Sequence, residues 1–203
     1  MRIRQFISIF VVLIGAGLYA QSPGVVTADS LKEVKFLQTA ETVIAAFAKG
    51  DSAALNRFIK PGVGIYYLER IGVFDRIEHD HTIEHGYGGS ETFNSFIGIK
   101  HKPVVCSSLP EYDCGAEAWS KQGTFADSTG SDRLLTSTAK WQNKYGDQHY
   151  SKVDISEFED LEAASRKIIV TVTSGRSLVF SLTYMDGQWW LTIMDFVSDD
   201  CSA

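Results

Sequence analysis

The most regular pattern of apolar and polar positions lies near the C-terminal end of the chain. Runs 168–173, 178–185 and 189–197 are rich in β-branched and aromatic residues, and the turn sequences TSGR and MDGQ separate them. Short strands joined in this way, the second pair through an Asp-Gly turn, predict a three-stranded antiparallel meander. A run at 153–158 offers a fourth strand before it. On the last run, Trp189, Leu191, Ile193 and Asp195 alternate with Trp190, Thr192, Met194 and Phe196. Strict period-two geometry puts each set on its own face. Both sets are largely apolar, so both faces need cover.

The other end reads as helix. In ADSLKEVKFLQTAETVIAAFAKG the apolar residues Leu31, Val34, Leu37, Ile44 and Phe47 recur at three- and four-residue steps, with charged and polar residues between them. Asp29 or Ser30 caps the start and Gly50 ends the helix. Asp51 caps a second, short helix through SAALNRFI that stops at Pro61, and a strand follows over 63–68. Residues 79–150 are interrupted by glycines and prolines. There the sequence predicts a brief pairing at Val104–Val105 and short helices over 116–121 and 133–144. Helices first and an antiparallel sheet last predict an α+β layer architecture in a single domain, residues 21–203, with an irregular central insertion.

This order of elements resembles the NTF2-like, or cystatin-like, α+β cone fold. The resemblance is carried by the helices through TAETVIAAFAKGDSAALNRFI, the strand GVGIYYL, and the hairpins from KIIVTVT to WWLTIMDFV. It implies N-terminal helices packed on a curved antiparallel sheet that encloses a conical cavity. It implies little about chemistry, because that family holds isomerases, dehydratases and binding subunits alike.

The first residues change the picture of where the protein works. MRIRQFISIFVVLIGAGLYAQ has a short basic start, an apolar core over 6–18 and a small residue, Ala20, before polar sequence. That is the layout of a secretory signal peptide, residues 1–20. Its core is short for a membrane span, and Gln21 offers no lipid acceptor, so the mature chain is expected to be exported, periplasmic or extracellular, without a membrane anchor. Cleavage removes Arg2 and Arg4 and takes the formal charge from −6 to −8. An acidic chain with scattered Lys and Arg is not a nucleic-acid binder, because phosphate contacts need clustered cations.

Export also bears on the cysteines. Cys106, Cys114 and Cys201 match no zinc or redox spacing, and an oxidising compartment favours pairing. Cys106–Cys114 would close a small loop around Pro110. Cys114–Cys201 would tie the tail to the body and remove more unfolded-state entropy; it is the expected bond. Cys106 is then left over, buried or partly reactive.

Three groups of residues carry candidate chemistry. In EHDHTIEHGYGG, His79, His81, His85 and Glu84 crowd one stretch, and a His-x-His pair on a strand points both rings to one side, as a metal requires. The stretch is similar to the cupin metal motif, but the step from His81 to Glu84 is one residue shorter and the companion half is missing. A solvated loop is the expected reading, with metal binding as the alternative. Asp195, following Leu191 and Ile193, is the candidate acid or base of an enzyme working in the cone. Trp189 and Tyr184, with Asp195, are the candidate ligand-binding residues.

No Gly-rich phosphate loop or nucleophile elbow occurs, and no cofactor is expected. The leading expectation is a non-enzymatic exported domain with a cavity or surface for a small ligand or a protein partner. An isomerase, dehydratase or hydrolase type of enzyme is the alternative, and a metal-binding module at 79–85 is the third. A homodimer would cover any sheet face left open. The leader makes the first prediction: N-terminal sequencing of chain exported by a bacterial host should start at Gln21, and retention of Met1 in the exported fraction counts against it.

Overall fold

The structure is a computed structural model, described for residues 27–83, 94–127 and 133–202. The leader and the pair Glu84 and His85 lie outside the described residues. The helices are α1 (Ala28–Lys49), α2 (Ser52–Asn56), α3 (Leu134–Tyr145) and α4 (Lys152–Ala163). The strands are β1 (Ile65–Ile71), β2 (Phe74–Asp80), β3 (Val105–Cys106), β4 (Tyr112–Asp113), β5 (Ala118–Trp119), β6 (Thr124–Ala126), β7 (Ser165–Val170), β8 (Leu178–Met185) and β9 (Gln188–Asp195). Seven of the strands form one sheet in the order β2-β1-β9-β8-β7-β6-β3, and β4 and β5 pair separately. The class is α+β.

The meander β7-β8-β9 is antiparallel throughout, and its second turn carries Asp186 and Gly187 at φ 51° and 79°, the left-handed pair that a two-residue hairpin needs. The whole sheet, however, is mixed rather than antiparallel. β1 runs parallel to β9, with Tyr66 opposite Ile193, and β3 runs parallel to β6. The connection from β1 to β9 runs through residues 72–187, and so long a connection permits the parallel pairing that a tight turn forbids.

Helix α1 lies on one side of the meander. Thr27 caps it, accepting the N–H of Ser30, in place of the expected Asp29 or Ser30; Gly50, at φ 66°, closes it by donating to the carbonyls of Ala46 and Phe47. The buried stripe is Phe36, Ala40, Val43, Ile44 and Phe47. Leu31 and Val34 belonged to the expected stripe but are about half exposed, at 51% and 50%. Phe36 meets Trp189 edge-on at 4.9 Å, and Phe47 lies 6.1 Å from Phe180. Large side chains therefore pack where a conical cavity would need space.

The opposite side is covered by α3 and α4, through Leu135, Ala139 and Phe158 against Leu68, Ile193 and Val197. Helix α4 replaces the strand expected over 153–158. Ser151 and Asp154 form a reciprocal capping box, and this local signal outweighs the β-branched Val153 and Ile155. The expected helix over 116–121 is instead the β4–β5 pair, with Tyr112 opposite Trp119. Strand β2 escaped the sequence reading; its two-residue turn, Gly72-Val73, is marked only by Gly72 at φ 71°.

One residue reorganises β9. Ser181 faces Ile193 while Leu182 faces Leu191, so Thr192 is an extra residue, a β-bulge. Before it, Trp189 and Leu191 point to the α1 side. After it, Met194 and Phe196 do, while Ile193 points to α3 and α4. The single-face assignment of Trp189, Leu191, Ile193 and Asp195 is thereby corrected: Asp195 stands across the sheet from Trp189.

Strand β2 is an edge, and side-chain amides cap it. Gln148 accepts from Ile77 N–H at 3.1 Å and donates to Ile77 C=O at 2.9 Å, while Gln142 donates to Asp75 C=O at 2.6 Å. These amides take the place of another strand and block sheet-to-sheet pairing.

Cys114 and Cys201 are disulfide-bonded, with Cα atoms 5.7 Å apart and a sequence separation of 87 residues. The loop-entropy relation assigns this bond about 4.6 kcal/mol. The Cys114→Ala/Cys201→Ala variant should therefore lose roughly that much stability in urea unfolding; an unchanged midpoint would show that the tail is held by other contacts.

Candidate functional site

Asp195 ends β9 on the side of α3 and α4, where burial leaves it 3% exposed. Lys167, in the middle of β7, reaches across β8 to place its Nζ 2.7 Å from Asp195 Oδ2. The backbone turns sharply after Asp195, so the N–H groups of Val197 and Ser198 both donate to Oδ1 at 2.9 Å. The Ser198 hydroxyl donates to Oδ2 and accepts from Lys167 Nζ at 3.0 Å. Burial by itself would raise the Asp195 carboxyl; the Lys167 ammonium, with the hydrogen bonds from Ser198 and Val197, overcomes that and holds it below the ordinary carboxylate range. A void of about 10 Å³ beside the pair has room for roughly one water. A carboxylate with four donors, held ionised, is a stable anion and a weak proton acceptor.

The same layer holds other polar groups. Glu162 of α4, 2% exposed, accepts the N–H groups of Leu135 and Thr136 at the start of α3, together with the Thr136 hydroxyl at 2.6 Å. The hydroxyls of Ser165, Thr183 and Thr192 form a chain across β7, β8 and β9. Lys167 was legible in principle as a cation at the head of the apolar run KIIVTV, and Asp195 was already a candidate, but nothing in the sequence links the two.

Trp189 and Tyr184 do come together, at 5.1 Å between ring centroids, with Lys32 Nζ 4.2 Å above the Tyr184 ring. Trp189 is 5% exposed and spends its indole N–H on the Lys32 carbonyl. The three candidate ligand residues therefore do not converge: two rings lie against α1, and Asp195 is on the far side of the sheet.

The histidines are placed by the β1–β2 hairpin. His79 stacks on Tyr66 at 4.3 Å, and its Nε2 lies 2.8 Å from the Val63 carbonyl. A carbonyl only accepts, so Nε2 carries the proton and Nδ1 alone is left for a metal. His81 is 5.1 Å from His79, ring to ring. Among the described residues no three His, Cys, Asp or Glu side chains are grouped as a metal would need. Gly64 backs this corner at φ 76°, where a Cβ would meet the Asp80 carbonyl oxygen.

Cys106 is exposed and unpaired; its thiol donates to Glu33 Oε1 at 3.1 Å, and Arg166 donates to the sulfur at 3.2 Å. Desolvation, then the bond to Glu33, pushes its pKa up, so it is not an activated thiolate.

Two open grooves are lined in part by aromatic side chains. One, about 460 Å³, runs between the β1–β2 turn and α3, lined by Val73, Phe74, Leu134 and Trp141 over the Arg70–Asp75 ion pair. The other, about 450 Å³, lies between α1, the end of α2 and the start of β9. Neither was foreseen, because each is assembled from residues far apart in the chain. Among the described residues no helix is long and apolar enough to cross a membrane.

The buried pair makes a prediction. Lys167→Met or Asp195→Leu alone should cost about 3–5 kcal/mol, because each strands a buried charge, whereas the double variant should recover most of the loss. Asp195 titrates below its unfolded value, so its contribution is complete above about pH 4 and disappears as pH falls through the folded pKa. Urea unfolding of the four proteins at neutral and acid pH tests both points; additive losses, or a pH-independent difference between wild type and Asp195→Leu, would contradict them. In comparisons with protein-family models, curated proteins and solved structures, the chain matches none.

Proposed function

We propose that the chain is an exported, non-enzymatic interaction domain of NTF2-like architecture whose working surface is the aromatic groove between the β1–β2 turn and α3. The observation that carries this reading is the exposure of five large apolar side chains on adjoining elements. Ile71, Val73, Phe74, Trp141 and Tyr145 are 58%, 73%, 41%, 37% and 58% exposed. Phe74 lies 4.8 Å from Trp141, which lies 5.4 Å from Tyr145, so the rings form one continuous surface. Contiguous apolar surface costs solubility and marks interaction sites, and aromatic residues dominate binding energy where they occur there.

The occupant we favour is a second copy of this chain. The elements around the groove carry both signs in ion pairs, Arg70 with Asp75, Arg76 with Asp147 and Lys140 with Glu159. A charge-balanced island can face its own rotated copy without repulsion, although the chain as a whole is at −6. The helix α1 laid on the antiparallel meander, with β1 following α2, supports the NTF2-like assignment. The leader sequence and the Cys114–Cys201 bond support export into an oxidising compartment. The saturated hydrogen bonding of Asp195 supports a role without catalysis.

Light scattering and sedimentation across a wide concentration range test the proposal. Wild-type protein should self-associate, and Phe74→Ser should weaken association by about 30-fold with thermal stability retained. A wild type that stays monomeric throughout, or a variant that associates equally well, would refute it.

A further inference from the structure

The second groove has a different chemistry. It is bounded by the outward face of α1, by Arg57 and Phe58 after α2, and by the first residues of β9. Leu191 of β9 donates its N–H to the Phe58 carbonyl at 2.8 Å, which pins the α2 end against the strand and shapes the groove. The half-buried rings of Phe58 and Trp190 form its apolar part. Trp190 spends its indole N–H internally, on the Met185 carbonyl at 3.2 Å, so the ring offers apolar surface rather than a donor.

The charged residues point to the ligand. Lys35 and Arg57 line the groove, and among the described residues neither has an ion-pair partner. By contrast, Arg70, Arg76, Arg166, Lys60, Lys140 and Lys167 each sit within ion-pair distance of a carboxylate. Asp186, which adjoins the groove at the β8–β9 turn, is engaged by Lys60 at 3.0 Å. In a chain with 25 acidic and 19 basic residues, two unneutralised cations facing one concavity form a local field for an anion.

The remaining lining is hydroxyl and amide. Thr39 and Thr42 donate their hydroxyl hydrogens to the carbonyls of Lys35 and Gln38, at 2.8 and 2.7 Å, which leaves their oxygens as acceptors. The side-chain amides of Gln38 and Gln188 make no hydrogen bond among the described residues, and each can donate and accept. An apolar ligand would leave these groups unpaired on contact, at a cost in affinity. The groove thus combines an aromatic face, hydrogen-bond donors and acceptors, and two cations.

We propose that this groove binds an anionic carbohydrate. A sugar ring would lie with its C–H face on Trp190, its hydroxyls on the glutamine amides and threonine oxygens, and its carboxylate or sulfate between Lys35 and Arg57. The volume, about 450 Å³, suits a short oligosaccharide and falls in the usual range of ligand sites. The site is independent of the aromatic surface at Phe74 and Trp141.

Calorimetry and tryptophan fluorescence of the mature chain test the proposal with three probes: trigalacturonic acid, its methyl ester, and a chondroitin sulfate oligosaccharide. The acid or the sulfated sugar should bind, and the neutral ester should bind at least roughly tenfold more weakly. Arg57→Ala and Lys35→Ala, both at exposed positions, should each weaken the acid by a similar factor, whereas Val153→Ala, at an exposed position of α4, should leave it unchanged. Binding of the acid with the sulfated sugar inert assigns the site to uronates, and the reverse assigns it to sulfated sugars; either supports the proposal. It is overturned if neither anionic sugar binds at about 10 mM, if the ester binds as well as the acid, if both alanine variants bind normally, or if inorganic sulfate competes as well as the sugar does.

Discussion

A single extra residue in β9 sets the layout of this protein. Inserting Thr192 between Leu191 and Ile193 reverses the side-chain alternation halfway along the strand. Trp189 and Leu191 stay on the α1 side, and Ile193 and Asp195 are delivered to the side of α3 and α4. Without the bulge, Asp195 would face the phenylalanines under α1, away from Lys167. With it, Asp195 meets Lys167 and the turn at Ser198. The bulged residue is itself satisfied, because the Thr192 and Thr183 hydroxyls bond to one another.

The two sides of the sheet consequently hold different kinds of interior. Under α1 the core is aromatic and aliphatic, built on Phe36, Phe47, Phe180 and Trp189. Under α3 and α4 it is layered with polar groups, among them Lys167, Asp195, Glu162, Ser165 and Thr183, each with identified partners. Such a network rigidifies one arrangement of the helices over the sheet, since any shift leaves a buried donor or acceptor unpaired. Glu162 illustrates this: one carboxylate from α4 holds the first turn of α3, which lacks a side-chain cap of its own at Arg133. The chemically conspicuous groups of the interior are thus committed to holding the fold. Of the two aromatic-lined grooves, one joins residues 70–75 to 134–141 and the other joins residues 35–58 to 187–190.

Local signals were strong where they were redundant. Helix α1 combines periodic apolar residues with a left-handed Gly50, the meander combines β-branched runs with an Asp-Gly turn, and Cys201 near the terminus had little use except to pair with Cys114. Each was readable because several short-range requirements agree. The failures came where one cue competed with another. Val153 and Ile155 spoke for a strand while Ser151 and Asp154 spoke for a helix start, and capping won because it satisfies backbone donors that the alternative leaves to water. Strand β2 carries Asp75, Arg76, Glu78 and Asp80, and it holds its place through β1 and the glutamines of the α3 region rather than through its own composition.

The amino-acid sequence by itself determined the α+β class, the long first helix and the three C-terminal strands, because hydrophobic period and turn chemistry act over a few residues; it favoured the Cys114–Cys201 bond, and the fold, by bringing the two residues within 5.7 Å, settled that choice. The tertiary structure alone decided that β1 runs parallel to β9, that Asp195 is bound to Lys167 instead of sharing a face with Trp189, and that Lys35 and Arg57 meet Trp190 in one groove. Those outcomes depend on register and on which helix covers which face. Register is a property of paired strands, and one inserted residue, invisible to a period-two reading, turns every side chain after it to the other side.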